Sequence, residues 1–469
     1  MLALQFPVFL VPDAMKFANM VHSIKPNPKT ETPQATSAHD NFWDYVANNQ
    51  ETAHMVTWLM SMRGRPRSWR MMEGYPINTF RFINKDGKST FVRFVWKPLL
   101  GVHDLLLDEA NIIGGMDPDF HRHDIIQAVQ NGAYPEYELG VQLINEEDEF
   151  NYDFDVLDDT KLWSEEDVPV EIIGKMTLNR LVDNFFAEEE QSSFDSSSLV
   201  PGIDFSNDHV LQGRSFAYRD TDYHRLGSSN INEIPVNKPI NDSYLNQRDG
   251  YMRHRIDKDT VDYHNNSLAG NTPEPVSHED GGFQSYPEKV QGHKTRDVPS
   301  DSFNDHFSQA RMFWNSMSEV EKQDIIQSFS FHLGSVKSES VRQKNVEMWA
   351  NVDKDMAADI AENIGVNLTD GSHVSVDKSS PSLSMKNTTF KAATQKLGVL
   401  IGDGFDDKVN DTLQQLKDEK VFVEVISSQL GTVKRKDGKE LQVDKTFLTA
   451  HPTLYDALYI VGGEVVKQE

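Results

Sequence analysis

Arg214 and Tyr218 stand one helical turn apart, and Arg225 follows two turns later. At helical spacing Leu211, Arg214, Tyr218, Thr221, Asp222 and Arg225 fall on one face. A face turned to a core would carry an apolar stripe; this one carries a phenol between two guanidinium groups. A guanidinium beside a phenol favours the anionic form, because opposite charge eases ionisation. A persistent phenolate is a hard oxygen ligand suited to ferric iron. Arg225 could pair bidentately with a carboxylate. Taken alone, an Arg/Tyr pair at this spacing is more often a solvated pair or a tyrosine at a core edge, so the face needs support from the rest of the chain.

The elements that must position this face are legible on either side of it. The helix lies inside 201–302, a stretch rich in Asn, Asp, Gly and Pro that otherwise reads as a long loop. Upstream, 6–10 reads as a buried strand. Residues 14–22 and 42–62 read as helices, the second capped by Asp40 or Asn41. Strands at 80–84 and 90–96 flank Lys85-Asp86-Gly87-Lys88, a hairpin signal. Residues 107–130 read as a helical stretch broken around Gly114-Gly115 and Pro118, and 138–144 and 171–178 as further strands. Downstream, 305–364 returns to helix around Phe313, Trp314, Ile325, Ile326 and Phe329, and the Ser/Thr-rich 366–393 reads as a linker. Strands at 397–401 and 421–426 on either side of a helix at 407–419 make a βαβ unit, hence a parallel sheet. A hairpin and the apolar run at 455–463 follow.

Nine stretches carry a resemblance. They are Phe6-Pro7-Val8-Phe9, Met62-Arg63-Gly64, Phe91-Val92-Arg93-Phe94, Pro118-Asp119-Phe120-His121-Arg122, Gly174-Lys175-Met176, Asp183-Asn184-Phe185-Phe186-Ala187-Glu188, Val200-Pro201-Gly202, Leu211-Gln212-Gly213-Arg214 and Gln247-Arg248-Asp249-Gly250. In order and spacing they resemble the haem catalases from about residue 6 to 250, and the part after Lys396 looks like the added domain of large-subunit catalases. The resemblance implies an α+β fold. It places a partial antiparallel catalase β-barrel with inserted helices at 1–195, a wrapping segment with the proximal haem helix at 196–304, a helical domain at 305–365, a linker at 366–395 and an incomplete flavodoxin-like α/β domain at 396–469. It implies haem-dependent disproportionation of hydrogen peroxide to water and oxygen, in a homotetramer whose subunits wrap one another. Tyrosine is the proximal haem ligand of catalases, and Tyr218 falls on that axial iron ligand. Arg214 falls on the residue supporting its phenolate, Arg225 on a propionate contact, and Phe17 on a ring over the distal haem face. Phe194, Leu211, Thr221 and Asp222 fall on positions lining the proximal side.

The departures from the family pattern also matter. Family members often carry a histidine near Asn78, in a polar relay behind the axial tyrosine. Asp195 stands where some large catalases carry a histidine crosslinked to that tyrosine, a bond aspartate cannot form. Moving a proton between the peroxide oxygens suits a histidine near neutrality; in the family it precedes the Phe6-Pro7 motif. Gln5 occupies the place expected of the distal asparagine. No distal catalytic residue is therefore assigned. The expectation is a chain cut inside a domain at both ends, with little catalase activity of its own. The alternative is a haem-binding or subunit-interaction relic without turnover.

Composition narrows the classes. Lys plus Arg total 46 against 73 Asp plus Glu, a formal charge of −27. Such a surface repels nucleic acid and anionic membrane, while peroxide, being small and neutral, needs no steering. The chain has no cysteine, which excludes disulfides, thiolate metal sites and cysteine nucleophiles. The apolar start at 1–11 is short and interrupted by Pro7, reading as neither a membrane span nor a signal peptide; a cytoplasmic address is the expectation. Arg63, Arg65, Arg67 and Arg70 around Trp69 read as partners of nearby carboxylates rather than an anion patch. His121 and His123, two apart, do not share a helix face and read as structural. Gly402-Asp403-Gly404 follows a strand, but its acidic loop disfavours a nucleotide phosphate.

Overall fold

Gly87 takes the left-handed φ of 76° that the turn at 85–88 requires, and the chain reverses there from β1 (Phe80–Ile83) into β2 (Ser89–Pro98). In the computed structural model, which describes residues 3–32, 40–240, 249–258, 260–289, 301–368 and 375–461, Phe80 pairs opposite Val92. β3 (Glu136–Asn145) and β4 (Glu171–Thr177) extend the sheet on one side and β5 (Ile203–Phe205) on the other, giving the antiparallel order β4-β3-β2-β1-β5. Alternation along β2 sorts its side chains. Val92 and Phe94 join Val141 on one face, and Phe91 joins Ile144 and Trp163 on the other. Both faces are thus covered near the strand centre.

The segment 6–10 is not a strand. Pro7 has no N–H to give a ladder, and the Phe9 N–H bonds instead to the Asp159 carbonyl at 2.8 Å. Phe6 and Val8 are buried all the same. The chain then makes a 3-10 turn at Ala14–Lys16, begun by the Asp13 side chain, and enters α1 (Phe17–Ile24). The helix expected across 42–62 is divided into α2 (Asp40–Asn48) and α3 (Ala53–Met60) by a 3-10 turn at Gln50–Thr52. α4 (Leu107–Met116) runs through Gly114-Gly115 and stops at Asp117, so Pro118 marks the break before α5 (Phe120–Gln130). α6 (His209–Leu226) is the expected helix bearing Tyr218.

Four helices follow: α7 (Ser308–Ser316), α8 (Glu319–Gly334), α9 (Glu339–Trp349) and α10 (Lys354–Ile364). With α2 and α3 they form the largest apolar core, around Trp43, Trp58, Phe313, Phe329 and Trp349. The last part contains β6 (Lys396–Leu400), α11 (Lys408–Asp418), β7 (Phe422–Ser427), the hairpin β8 (Gly431–Lys434) and β9 (Glu440–Val443), then β10 (Lys445–Thr446) and β11 (Ala457–Ile460). Its main sheet is parallel in the order β10-β7-β6-β11, as the βαβ pattern requires. Residues 462 and 463 of the apolar run, Gln247 and Arg248, and 369–374 of the expected linker lie outside the described residues.

The arginines around Trp69 do meet carboxylates, but not local ones in every case. Arg63 pairs with Glu73 and Arg70 with Asp124 at 2.9 Å, whereas Arg65 reaches Asp324 on α8 and Arg67 reaches Asp456 beside β11 at 2.6 Å. The cluster fastens the first part of the chain to both later parts.

Candidate functional site

α6 is held at both ends by its own sequence. The Asp208 carboxylate caps the N-terminus by accepting from the Leu211 N–H at 2.8 Å. Gly227 closes the C-terminus at φ 70°, and His224 and Arg225 lie in the last turn, where cations suit the helix dipole. Leu211 is fully buried and anchors the first turn. At Gly213 a Cβ would lie 2.0 Å from the Ala14 Cβ. This glycine therefore lets the 3-10 turn that precedes Phe17 lie directly on α6.

Arg214 and Tyr218 meet as their spacing predicts. Arg214 Nη2 donates to the Tyr218 oxygen at 3.1 Å, and the guanidinium carbon sits 4.9 Å from the ring centre. The other arm of the fork is fixed from behind: Nη1 donates to the Pro76 carbonyl at 3.0 Å and to Asn78 Oδ1 at 2.8 Å. Because Asn78 accepts there, its Nδ2 faces the opposite way. It donates to Asp159 Oδ2 at 2.7 Å and to Asp208 Oδ2 at 3.2 Å. Asn78 thus connects Arg214 to buried carboxylates without a histidine. Asp208 and Asp159 were absent from the sequence reading. The first had a signal, an acid at the N-cap of the helix; the second had none, since tertiary contacts alone bring it to Asn78.

The remaining expected residues divide. Phe17 stacks on Phe9 with ring centres 6.1 Å apart and stays 39% exposed. Phe194, 48% exposed, lines a cavity of about 340 Å³ with Phe80, Phe94, Val200, Ile203 and Arg214. Thr221 is exposed and bonds back to the Ala217 carbonyl at 2.7 Å. Asp222 is buried, accepting from Ser193 at 2.5 Å and from Arg225 at 3.0 Å. Arg225 also donates to the Glu190 and Ser192 carbonyls, each at 2.6 Å. Those carbonyls come from a π-helical turn at Phe186–Glu190 and the segment after it, an element the sequence reading did not contain. Asp195 pairs with Arg219. Gln5 donates its amide to the Gly64 carbonyl at 3.3 Å.

This arrangement suits a ferric porphyrin. It offers one hard oxygen donor, hydrogen-bonded by a guanidinium. Phe17 and Phe194, both attached to segments lying against α6, leave aromatic surface for a flat apolar ring to cover. Among the described residues no three His, Asp or Glu side chains converge as a conventional metal cage. His121 instead bonds the Pro66 carbonyl at 2.7 Å, and His123 pairs with Asp117 at 3.0 Å.

Comparison with known proteins decides the family. The catalase sequence profile matches residues 1–270, and a profile described as catalase-related immune-responsive matches 300–364. The chain belongs to the catalase family. It is 58% identical to the catalase of Alkalihalophilus pseudofirmus, over 98% of this chain and 68% of that protein. It is 54% identical to catalase-2 of Bacillus subtilis, over 98% and 67%. Catalase HPII of Pseudomonas putida is 45% identical, over 98% and 66%. The chain thus spans about two thirds of the length of these catalases, and the matches run through the C-terminal domain as well as the region of α6. Among the described residues, no helix is long and apolar enough to cross a membrane.

Proposed function

We propose that this catalase-family chain holds a haem through the Tyr218 oxygen and serves the disproportionation of hydrogen peroxide to water and oxygen. The observation that carries the reading is the Arg214 donor on the Tyr218 oxygen, braced from behind by Pro76 and Asn78. When bound, ferric haem would supply the redox chemistry by which one peroxide is reduced to water and a second is oxidised to oxygen. The chain's own residues do the rest. Tyr218 would hold the iron, with Arg214 donating to the phenolic oxygen. Phe17 and Phe194 would offer aromatic surface that excludes water from the porphyrin, and the buried Leu211 anchors the helix that carries the ligand. Thr221 and Asp222 shape the proximal wall one turn beyond the ligand. Arg225 is the candidate for a propionate, although its donors already serve Glu190, Ser192 and Asp222. Gln5 is assigned no proton transfer, since its amide is engaged by Gly64.

The proposal extends to a homotetramer in the cytoplasm. Ile240, Tyr251, Ile256 and Leu268 are mostly exposed in the single chain, and apolar side chains gathered on one segment mark a surface that a partner covers. The test is reconstitution with haemin. One haem per chain is expected, lost in Tyr218→Phe, and oxygen release from peroxide by the loaded chain would support turnover. Haem uptake without oxygen release would favour a haem-binding relic, and no uptake by the folded chain would contradict the proposal.

A further inference from the structure

The carboxyl pair behind Asn78 is more than the cap of a helix. Asp159 and Asp208 are both completely buried, and they lie within hydrogen-bonding reach of each other. Their surroundings are unequal. Asp208 accepts from three donors: the Leu211 N–H at 2.8 Å, the Thr79 N–H at 3.1 Å and Asn78 at 3.2 Å. Asp159 accepts only from Asn78, through Oδ2, and its Oδ1 is buried with no hydrogen-bond partner.

The nearest cation does not repair this imbalance. Arg93 Nη2 stands 4.0 Å from Asp159 Oδ1. The guanidinium spends its donors elsewhere, on Thr79 Oγ1 at 2.9 Å, the Lys161 carbonyl at 2.6 Å, and the Val156 and Asp158 carbonyls at 3.2 Å. Two adjacent buried carboxylates cannot both ionise cheaply, and the better-solvated one keeps the charge.

Resting on the haem reading of Tyr218, we propose that Asp159 is a neutral carboxylic acid sharing its proton with Asp208, and is a positioning residue for the Arg214–Tyr218 pair. With Asp159 neutral, Asp208 carries one negative charge against the two positive charges of Arg93 and Arg214. One positive charge is left over, and Arg214 directs it to the Tyr218 oxygen. Were Asp159 ionised, the cluster would sum to zero and the support for a phenolate would fall.

Two other charged groups nearby offset each other. Asp158 and Lys161 pair with each other at 3.6 Å. Asp155 faces His209 and Arg93, and its acidity is weakened by burial. Burial, followed by the charge of Asp208, pushes the Asp159 carboxyl well above the usual carboxylate range. Burial also raises Asp208, but the Leu211 and Thr79 amides pull it back.

The experiment is infrared difference spectroscopy of the haem-reconstituted chain, together with its Fe(III)/Fe(II) midpoint potential across pH. A protonated-carboxyl C=O band is expected at neutral pH, shifted by deuterium and absent from Asp159→Asn. The potential should fall through a one-proton step at alkaline pH as Asp159 ionises, because added negative charge favours the ferric state. Asp159→Asn should remove that step. No protonated-carboxyl band in the unsubstituted protein, or an alkaline step that persists in Asp159→Asn, would overturn the inference. The band depends on the fold alone. Its presence in Tyr218→Phe, alongside an absence of haem binding by the unsubstituted chain, would sink the Tyr218 reading while leaving the shared proton standing.

Discussion

On the proposed haem reading, Arg214 is the residue on which the ligand's character depends. It reaches the Tyr218 oxygen at 3.1 Å and is itself fixed by two acceptors. Hydrogen bonds to charged groups contribute about 1.5–3 kcal/mol, so Arg214→Leu should weaken haem affinity roughly 10- to 100-fold, measured by haem transfer to an acceptor protein. Asn78→Ala should cost about 1–3 kcal/mol of folding stability in urea, because it strips Asp159 of its one donor. His54 sets a pH dependence. Its Nδ1 donates to the Thr160 carbonyl at 2.8 Å and its Nε2 accepts from Trp58 at 3.2 Å, which requires the neutral ring. Burial pushes it from 6.5 down to about 3. The folded state therefore binds fewer protons in that window. The stability it contributes is whole above about pH 6.5 and is lost as pH falls toward 3. Urea midpoints should decline over that range, and less steeply in His54→Gln.

α6 shows what an element-level reading could and could not supply. Its existence and its polar face were legible, since Arg214 precedes Tyr218 by one turn, but its bounds went unread although Asp208 caps it and Gly227 ends it. Its neighbours were harder to see. β5 has three residues inside a stretch of turn-forming composition, too few for an alternating pattern to register. The strand expected at 6–10 failed because apolar residues were weighed above Pro7, which has no donor for a ladder. The close approach at Gly213 could not be read either, as it depends on where the Ala14 turn lands. Gly213→Ala should overpack that contact and cost about 1–3 kcal/mol, seen as a lower urea midpoint. Displacement of the Phe17 segment should accompany it as faster haem loss.

At the scale of the whole molecule, the arginines around Trp69 connect parts that the sequence separates. Their types showed that they would meet acids; which acids they meet depends on the packing of α8 and β11. Asp324 is almost wholly buried against Arg65, so Arg65→Met leaves an uncompensated carboxylate. A loss of about 3–5 kcal/mol is expected, checked by denaturant unfolding followed at the buried tryptophans of the helical core. That antiparallel strands come first, helices next and a βαβ unit last was legible from period. The carboxyl pair at Asp159 and Asp208 was not, because three distant segments build it. The iron ligand proposed here is the Tyr218 oxygen, and electron paramagnetic resonance of the haemin-loaded chain tests that most directly. The account predicts a high-spin ferric signal characteristic of an oxygen-anion ligand, lost or replaced in Tyr218→Phe. The same signal in Tyr218→Phe as in the unsubstituted chain would contradict it.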